Sequence, residues 1–182
     1  MTEKSNYKIK IYVHLILTIN RTILENSDHI KFMKMAIEAA QIGVKSDTGG
    51  PFGAVIVKDG KVVSIGCNSV TSTNDPTAHA EVVAIRKACE KLGDFQLDDC
   101  ILYTSCEPCP MCLGAIYWAR PKAVYYACEA QDASDIGFDD SFIYDEIKLP
   151  FDNRGIPFKQ VGRSEGLVVF KEWTAKINRI DY

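Results

Sequence analysis

The sequence predicts an α/β protein, a three-layer α/β/α sandwich around a mixed central sheet of about five strands. Two short β-rich runs, Ala54 to Val57 and Val62 to Ile65, flank the dipeptide Asp59-Gly60, which is a strong signal for a β-hairpin. After the hairpin, helical and strand patterns alternate along the chain. Strands joined through helical crossovers run parallel, so a hairpin followed by crossovers predicts a mixed sheet with helices on both faces.

The helices in the first half of the chain have recognisable ends. Ser27-Asp28 offers an N-cap, and apolar residues then recur at helical spacing until Gly43. Asp75-Pro76 predicts the start of the second helix, because a capping side chain precedes the residue best tolerated at the first helical position. Gly93 predicts the end of that helix.

The second half of the chain continues the alternation. Pro108 and Pro110 confine the start of the third helix to their neighbourhood. The remaining predicted elements are strands over 100–104, 123–127 and 158–161, and a closing amphipathic helix with Leu167, Phe170, Trp173 and Ile177 on its apolar face.

Composition limits the classes of function. A chain of 182 residues suits one domain with a sizeable core. The chain has 21 Lys and Arg against 24 Asp and Glu, a net charge of −3. This charge argues against a nucleic-acid partner that is bound through its phosphates. The seven cysteines, three of them spaced three apart, favour reduced thiols and a cytoplasmic location over a disulfide framework.

Residues 1–26 are predicted to be an N-terminal appendage outside the domain of residues 27–182. Their apolar run from Ile11 to Ile19 is too short to cross a bilayer and lacks the small-residue cleavage site of a signal peptide. We therefore expect no association with a membrane.

Two short motifs carry the candidate chemistry. His79-Ala80-Glu81 falls in the first turn of the second predicted helix, where both polar side chains can reach a point near the helix axis. Cys106 and Cys109, three residues apart at the entry to the third helix, can face one ion together. An imidazole and two thiolates form a zinc-type ligand set, and a helix N-terminus favours the thiolate. The sequence therefore predicts His79, Cys106 and Cys109 as the ligands of one Zn²⁺ per chain.

This predicted metal site is open. Three protein ligands leave the fourth tetrahedral position to water, which is typical of a catalytic zinc, and zinc lowers the pKa of that water to about 7. Glu81 beside the metal can then move protons between water and substrate. A fourth ligand, Cys112, would close the site, but we interpret Cys112 as a buried side chain one turn deeper in the helix. H-x-E followed by P-C-x-x-C is the signature of the zinc deaminases.

The chain resembles the cytidine deaminase-like superfamily, and within it the bacterial guanine deaminases. Four stretches carry the resemblance: GGPFGAVIVKDG (49–60), NDPTAHAEVVAIRKA (74–88), LDDCILYTSCEPCPMCLGAIYWARP (97–121) and GFDDSFIY (137–144). The second and third are specific to the superfamily, whereas the fourth, with the aromatic tail, favours the guanine deaminases. The resemblance covers the chain from about Ser27 onwards.

The resemblance implies hydrolytic deamination of guanine to xanthine and ammonia, through attack by zinc hydroxide with Glu81 as the proton shuttle. It implies that Asn68 hydrogen-bonds the base, that Phe52 packs against its face, and that the backbone N–H of Ala80 reaches a ring acceptor. Asp140 matches a carboxylate that assists proton movement at the purine; the alternative is a solvated acidic loop.

The resemblance also gives the C-terminal segment a role. In the bacterial guanine deaminases this segment packs over the active site and can come from the partner subunit of an exchanged homodimer. Tyr182 would then contact the base, and the segment would exclude water from the reaction. A frayed terminus is the alternative.

Other functions stay open at this stage. A tRNA adenosine deaminase shares the run from Asp75 to Glu81 and the cysteine motif, and a free cytosine or nucleoside deaminase belongs to the same class. The acidic charge balance and the segment from Gly137 to Tyr182 favour the guanine deaminases over the tRNA enzymes. A structural zinc module that binds nucleic acid would keep the cysteines, but it would need neither Glu81 nor an open ligand position.

Overall fold

The computed structural model of the chain describes residues 27–181. The N-terminal segment 1–26 and the terminal Tyr182 lie outside the described residues, and so do the predictions made for them. Among the described helices, none is long and apolar enough to cross a membrane.

Helices and strands alternate after an initial hairpin, as the sequence predicts. The described part of helix α1 covers 27–45. The hairpin consists of β1 (Gly53–Lys58) and β2 (Lys61–Cys67). The elements that follow are α2 (Val70–Thr73), α3 (Ala80–Leu92), β3 (Cys100–Cys106), α4 (Pro110–Ala119), β4 (Ala123–Cys128), α5 (Ala130–Asp135), α6 (Ser141–Lys148), a 3-10 turn (Phe151–Asn153) and α7 (Arg163–Ala175).

The described chain forms one mixed sheet in the order β2-β1-β3-β4. Strand β1 pairs antiparallel with β2 and with β3, whereas β3 and β4 run parallel. This confirms the predicted α/β class with a mixed sheet. The sheet has four strands and not about five, because residues 158–161 are not a strand in the described chain.

Two hydrophobic clusters cover the two faces of the sheet. Successive side chains of β3 point to opposite faces, so Leu102 packs in the cluster with α3 and α4, while Tyr103 packs with Phe32 of α1. Glycines let the helices approach closely: a Cβ atom on Gly53 would collide with the backbone of α1, and one on Gly66 with the first turn of α3. The N-terminus of α3 is thereby fixed against the sheet.

Helix α3 begins later than the sequence predicts. Asp75 opens a turn, because its carboxylate accepts hydrogen bonds from the backbone N–H and the hydroxyl of Thr77, at 2.8 and 2.7 Å. The helix begins at Ala80, and His79 is its N-cap residue. Gly93 ends the helix in the left-handed conformation, as predicted.

The C-terminal third of the described chain is exposed. Helices α5, α6 and α7 contain no buried residue. The closing helix predicted from its apolar face is present as α7, but it ends at Ala175, before the predicted Ile177, and Phe170 and Trp173 of that face are 69% and 41% exposed. A single described chain therefore leaves the apolar face of α7 in contact with solvent.

Candidate metal centre and active site

The candidate site lies where two helices begin beside the end of β3. His79 precedes α3, and Cys109 is the N-cap residue of α4 with Pro110 next to it. Cys112 lies in the first turn of α4, and its backbone N–H donates to the sulfur of Cys109 at 3.5 Å. The two cysteines therefore share one helix N-terminus, where the backbone N–H groups and the helix dipole favour negative charge.

Three side chains converge into a group that could hold a metal ion. They are His79, Cys109 and Cys112, whose ligand atoms all lie within 4.8 Å of one another. Cys109 Sγ is 3.5 Å from Nδ1 of His79. Cys112 is fully buried, as predicted, but it faces the other two donors and is not merely a core side chain.

Cys106 does not belong to this group, so the predicted ligand set needs a correction. Its thiol lies 3.5 Å from the carbonyl oxygen of Glu129. The physical reason is its place in the chain: Cys106 is the last residue of β3 and pairs with Cys128, and a turn separates it from α4. In the motif P-C-x-x-C the proline directly precedes the first cysteine, which gives Cys109 and Cys112. That proline was the signal that identifies the second thiol.

Electrostatics singles out Cys109 among these cysteines. The hydrogen bond with Cys112 is the largest cause of a pKa for Cys109 lowered to about 4, and His79 lowers it further. The hydrogen bond between Cys109 and His79 raises the pKa of His79 above its ordinary value. The hydrogen bond between Cys109 and Cys112 likewise raises the pKa of Cys112, and burial raises the pKa of Cys106 to about 11. Cys109 is therefore the thiol whose anionic form its surroundings favour most.

The donor set fits a tetrahedral zinc ion. Bonds of about 2.3 Å to sulfur and about 2.0 Å to nitrogen place tetrahedral S and N donors about 3.5 Å apart, and two S donors about 3.8 Å apart. The 3.5 Å between Cys109 and His79 matches the first value, and the second lies within the 4.8 Å span of the group. Imidazole and thiolate are also the donor types that zinc prefers.

Glu81 lies beside the donor group, on the second residue of α3. Glu81 is 6% exposed, and this burial raises the pKa of its carboxyl group. Oε1 accepts a hydrogen bond from the hydroxyl of Thr104 at 3.2 Å, and Oε2 lies 3.4 Å from the sulfur of Cys112. A buried carboxyl group next to a metal site can take a proton from one reacting atom and give it to another.

A cavity of about 310 Å³ opens beside the donor group, a size typical of small-molecule sites. His79, Glu81 and Cys109 line its inner end, as does Cys106. The ring of Phe52 lines one side and meets Phe138 edge-on, with ring centroids 5.0 Å apart.

The outer wall of this cavity is acidic and comes mostly from residues after β4. Glu107, Asp139 and Asp140 line it. Burial is the largest cause of a raised pKa for Asp140, and the charge on Cys109 raises it further. Asp140 therefore lines the same cavity as Glu81. Sequence reasoning did not single out Glu107 or Phe138.

The other residues expected to bind substrate differ in their relation to this cavity. Asn68 is buried and lines an adjoining cavity of about 760 Å³, which shares Phe52 and His79 with the first. Ala80 is fully buried as the first residue of α3 and lines neither cavity. Tyr182 lies outside the described residues.

Comparison with known proteins relates this site to a family. The sequence model of the cytidine and deoxycytidylate deaminase zinc-binding region matches residues 26–128. Guanine deaminase of Bacillus subtilis (strain 168) is 63% identical over 155 residues, 85% of this chain and 99% of that protein. A tRNA-specific adenosine deaminase of Agrobacterium fabrum is 41% identical over 104 residues, 57% of this chain and 67% of that protein.

Solved structures give the same relation. The X-ray structure of guanine deaminase from Bacillus subtilis matches with a TM-score of 0.83 at 63% identity, covering 85% of this chain and 98% of that chain. A structure of guanine deaminase from Nitrosomonas europaea matches with a TM-score of 0.57 at 33% identity, covering 60% of this chain and 63% of that chain.

Proposed function

The chain belongs to the zinc-binding cytidine and deoxycytidylate deaminase family, and we propose that it hydrolyses guanine to xanthine and ammonia. The similarity to the guanine deaminase of Bacillus subtilis extends over 85% of this chain, whereas the similarity to the tRNA-specific adenosine deaminase of Agrobacterium fabrum covers 57%. Similarity to a guanine deaminase therefore accounts for more of the sequence than similarity to a tRNA-specific adenosine deaminase does.

The observation that carries the choice of a free base is the charge of the cavity wall. Glu107, Asp139 and Asp140 line the cavity together with Glu81, and no Lys or Arg is among the described residues that line it. A phosphate group would meet these carboxylates without a counter-charge. Guanine is neutral, and its N–H groups can donate to carboxylates. The wall therefore favours a free purine base over a nucleotide or a tRNA.

We infer that His79, Cys109 and Cys112 hold one zinc ion per chain, with the cavity on its open side. When bound, zinc would supply a Lewis acid that lowers the pKa of water to about 7 and so provides a nucleophile at neutral pH. The separations between the donors suit this ion.

Glu81 moves the protons of the reaction. Its carboxylate takes a proton from the attacking water and delivers it to the ring nitrogen. It then takes the proton of the hydroxyl now bonded to the ring carbon and delivers it to the amine, which leaves as ammonia when the C–N bond breaks. Guanine and one water thus give xanthine and one ammonia.

Asn68 and Phe52 orient the base. The side-chain oxygen of Asn68 already accepts from the backbone N–H groups of Gly50 and Val70, at 3.1 and 3.2 Å. The amide N–H groups of Asn68 are therefore the ones left to donate to an acceptor atom of guanine. Phe52 presents its ring to the purine face, the backbone N–H of Ala80 reaches a ring acceptor, and Asp140 assists proton movement at the purine.

A homodimer with exchanged C-terminal segments completes the proposal. Apolar side chains of the described C-terminal third are exposed, among them Phe142, Phe151 and Phe170, and β4 is an edge strand with one side unpaired in the described sheet. A second copy of the chain would bury these side chains and pack against β4, with Tyr182 reaching the partner's cavity. Deleting Asp181 and Tyr182 should lower guanine turnover far more than zinc content. An unchanged rate would contradict this role for the tail.

A cytoplasmic location agrees with the state of the cysteines. All seven lie in the described part of the chain and all seven are free thiols. Thiols persist in a reducing compartment, and two of these are needed as metal ligands.

The test is ammonia release from guanine, adenine, cytosine, cytidine and a tRNA anticodon stem, with Glu81→Gln as the blank. We expect release from guanine to exceed release from every other substrate by at least about 100-fold in kcat/KM. Faster release from the tRNA stem would favour the adenosine deaminase alternative. Tight tRNA binding by the zinc-loaded chain, without ammonia from any substrate, would favour a structural zinc module.

A further inference from the structure

Thr104 touches the carboxyl group that moves the protons. It lies on β3, is 1% exposed, and donates its hydroxyl to Oε1 of Glu81 at 3.2 Å. Thr104 lines neither cavity, and its hydroxyl is engaged by Glu81. Its effect on the reaction therefore has to pass through Glu81.

The two oxygens of Glu81 have different surroundings. Oε1 faces the sheet and Thr104, whereas Oε2 faces the metal donors through the thiol of Cys112. Thr104 therefore holds the oxygen of Glu81 that points away from the metal donors. The other oxygen is the one on the side of the donor group.

We propose that Thr104 is a positioning residue, whose hydroxyl holds Oε1 and leaves Oε2 of Glu81 to carry the proton. The inference rests on the proposed deaminase function, which gives Glu81 its task. Thr104 suits the role because it is β-branched: its side-chain rotation is restricted, and a strand fixes its backbone. Proton transfer depends on this alignment, since a displacement of about 1 Å can cost about 100-fold in rate.

The experiment compares variants that keep or remove the hydroxyl. Thr104→Val preserves the shape of the side chain and removes the donor, whereas Thr104→Ser keeps the donor. Ser64→Ala is the matched control, because Ser64 is a buried strand residue whose hydroxyl donates to Ala84 of the same helix α3, at 2.7 Å, without contacting Glu81. Guanine kinetics, zinc content and crystal structures are measured for all of them.

We expect Thr104→Val to lower kcat by about 10- to 100-fold, with KM and zinc content near wild type, because the lost interaction acts on the chemical step. Its crystal structure should show the Glu81 carboxylate rotated or in two conformers. Thr104→Ser should recover kcat to within about threefold, and Ser64→Ala should leave kcat unchanged.

Three results would overturn the proposal: a wild-type kcat for Thr104→Val, an equal loss for Thr104→Ser, or a loss of zinc that accounts for the loss of rate. A wild-type chain that releases no ammonia from guanine would instead contradict the proposed function. In that case the orientation of the Glu81 carboxylate in the Thr104→Val crystal structure still decides whether Thr104 positions it.

Discussion

The identity of the second thiolate can be tested by removing either cysteine alone. Cys112→Ala takes away a member of the donor group, whereas Cys106→Ala removes a thiol that lies against the carbonyl oxygen of Glu129. We expect Cys112→Ala to lose zinc and guanine turnover. Cys106→Ala should keep one zinc per chain and most of its activity.

The size of the effect follows from the number of donors. Without Cys112, His79 and Cys109 are the remaining members of the group. Loss of a partner that only orients a ligand weakens metal affinity by about 10- to 100-fold, so loss of a ligand should weaken it by more than about 100-fold. Both variants remove a buried sulfur of similar size, so each should cost about 1 kcal/mol of folding stability, and this cost cannot separate them.

Zinc affinity is measured by competition with a chelator of known affinity, and zinc content by elemental analysis after gel filtration. Thermal unfolding of the metal-free variants shows whether both fold. The result that refutes the reasoning is the reverse order, in which Cys106→Ala loses zinc and Cys112→Ala keeps it. Equal loss in both folded variants would also refute it, because the cavity would then hold the metal through a different donor set.

Three further changes test the site and its support. Glu81→Gln should keep zinc and lower turnover by about 100- to 10,000-fold, and turnover near wild type would exclude the proton-shuttle role. Phe52→Ala should raise KM for guanine by about tenfold through lost stacking, with zinc content unchanged; an unchanged KM would exclude the ring as the contact. The hydrogen bond from the Thr77 hydroxyl is the first cause of the lowered pKa of Asp75. The ionised carboxylate of Asp75 therefore stabilises the fold above its ordinary pKa of about 4. This contribution is lost as the pH falls through the lowered value. Asp75→Asn should therefore lower the unfolding temperature at pH 7, with a gap to wild type that narrows in acid, and a gap that is constant with pH would contradict this.

Features set by neighbouring residues were predictable from the sequence. The hairpin is an example: Asp59 and Gly60 both have positive φ, 49° and 70°, which is the conformation that a two-residue hairpin turn requires. The observed strands extend the predicted ones by one or two residues at each end. The end of α3 was predictable for the same reason, because Gly93 itself adopts the left-handed conformation that ends the helix.

Two elements were predicted less well. Asp75-Pro76 has the composition of a helix start, but its side chain is used by Thr77 in a turn, and α3 begins at Ala80. Residues 158–161 have a β-rich composition, but a strand needs a neighbour, and in the described chain they have none in the sheet. Composition alone does not show whether a neighbouring strand is available to pair with these residues.

Prediction of the metal site depended on a local sequence pattern and on the position of a helix boundary. His79 and Glu81 flank the N-terminus of one helix, so their convergence on one point was predictable once that helix was placed. The choice between Cys106 and Cys112 depended on where β3 ends and α4 begins, because both lie three residues from Cys109. Spacing alone is symmetric about Cys109, and only the helix boundary makes the two cysteines different.

The chemistry and the choice of substrate come from different parts of the chain. The metal donors and Glu81 all lie within residues 26–128, the part that matches the deaminase family. The outer wall of the cavity comes largely from residues 130–143, which follow that match and include Asp139 and Asp140. The family match therefore fixes the reaction at the metal without fixing which base reaches it. In the proposed function the carboxylates of that wall contribute to the selection, because they would repel a phosphate-bearing substrate and could accept hydrogen bonds from the N–H groups of a free purine.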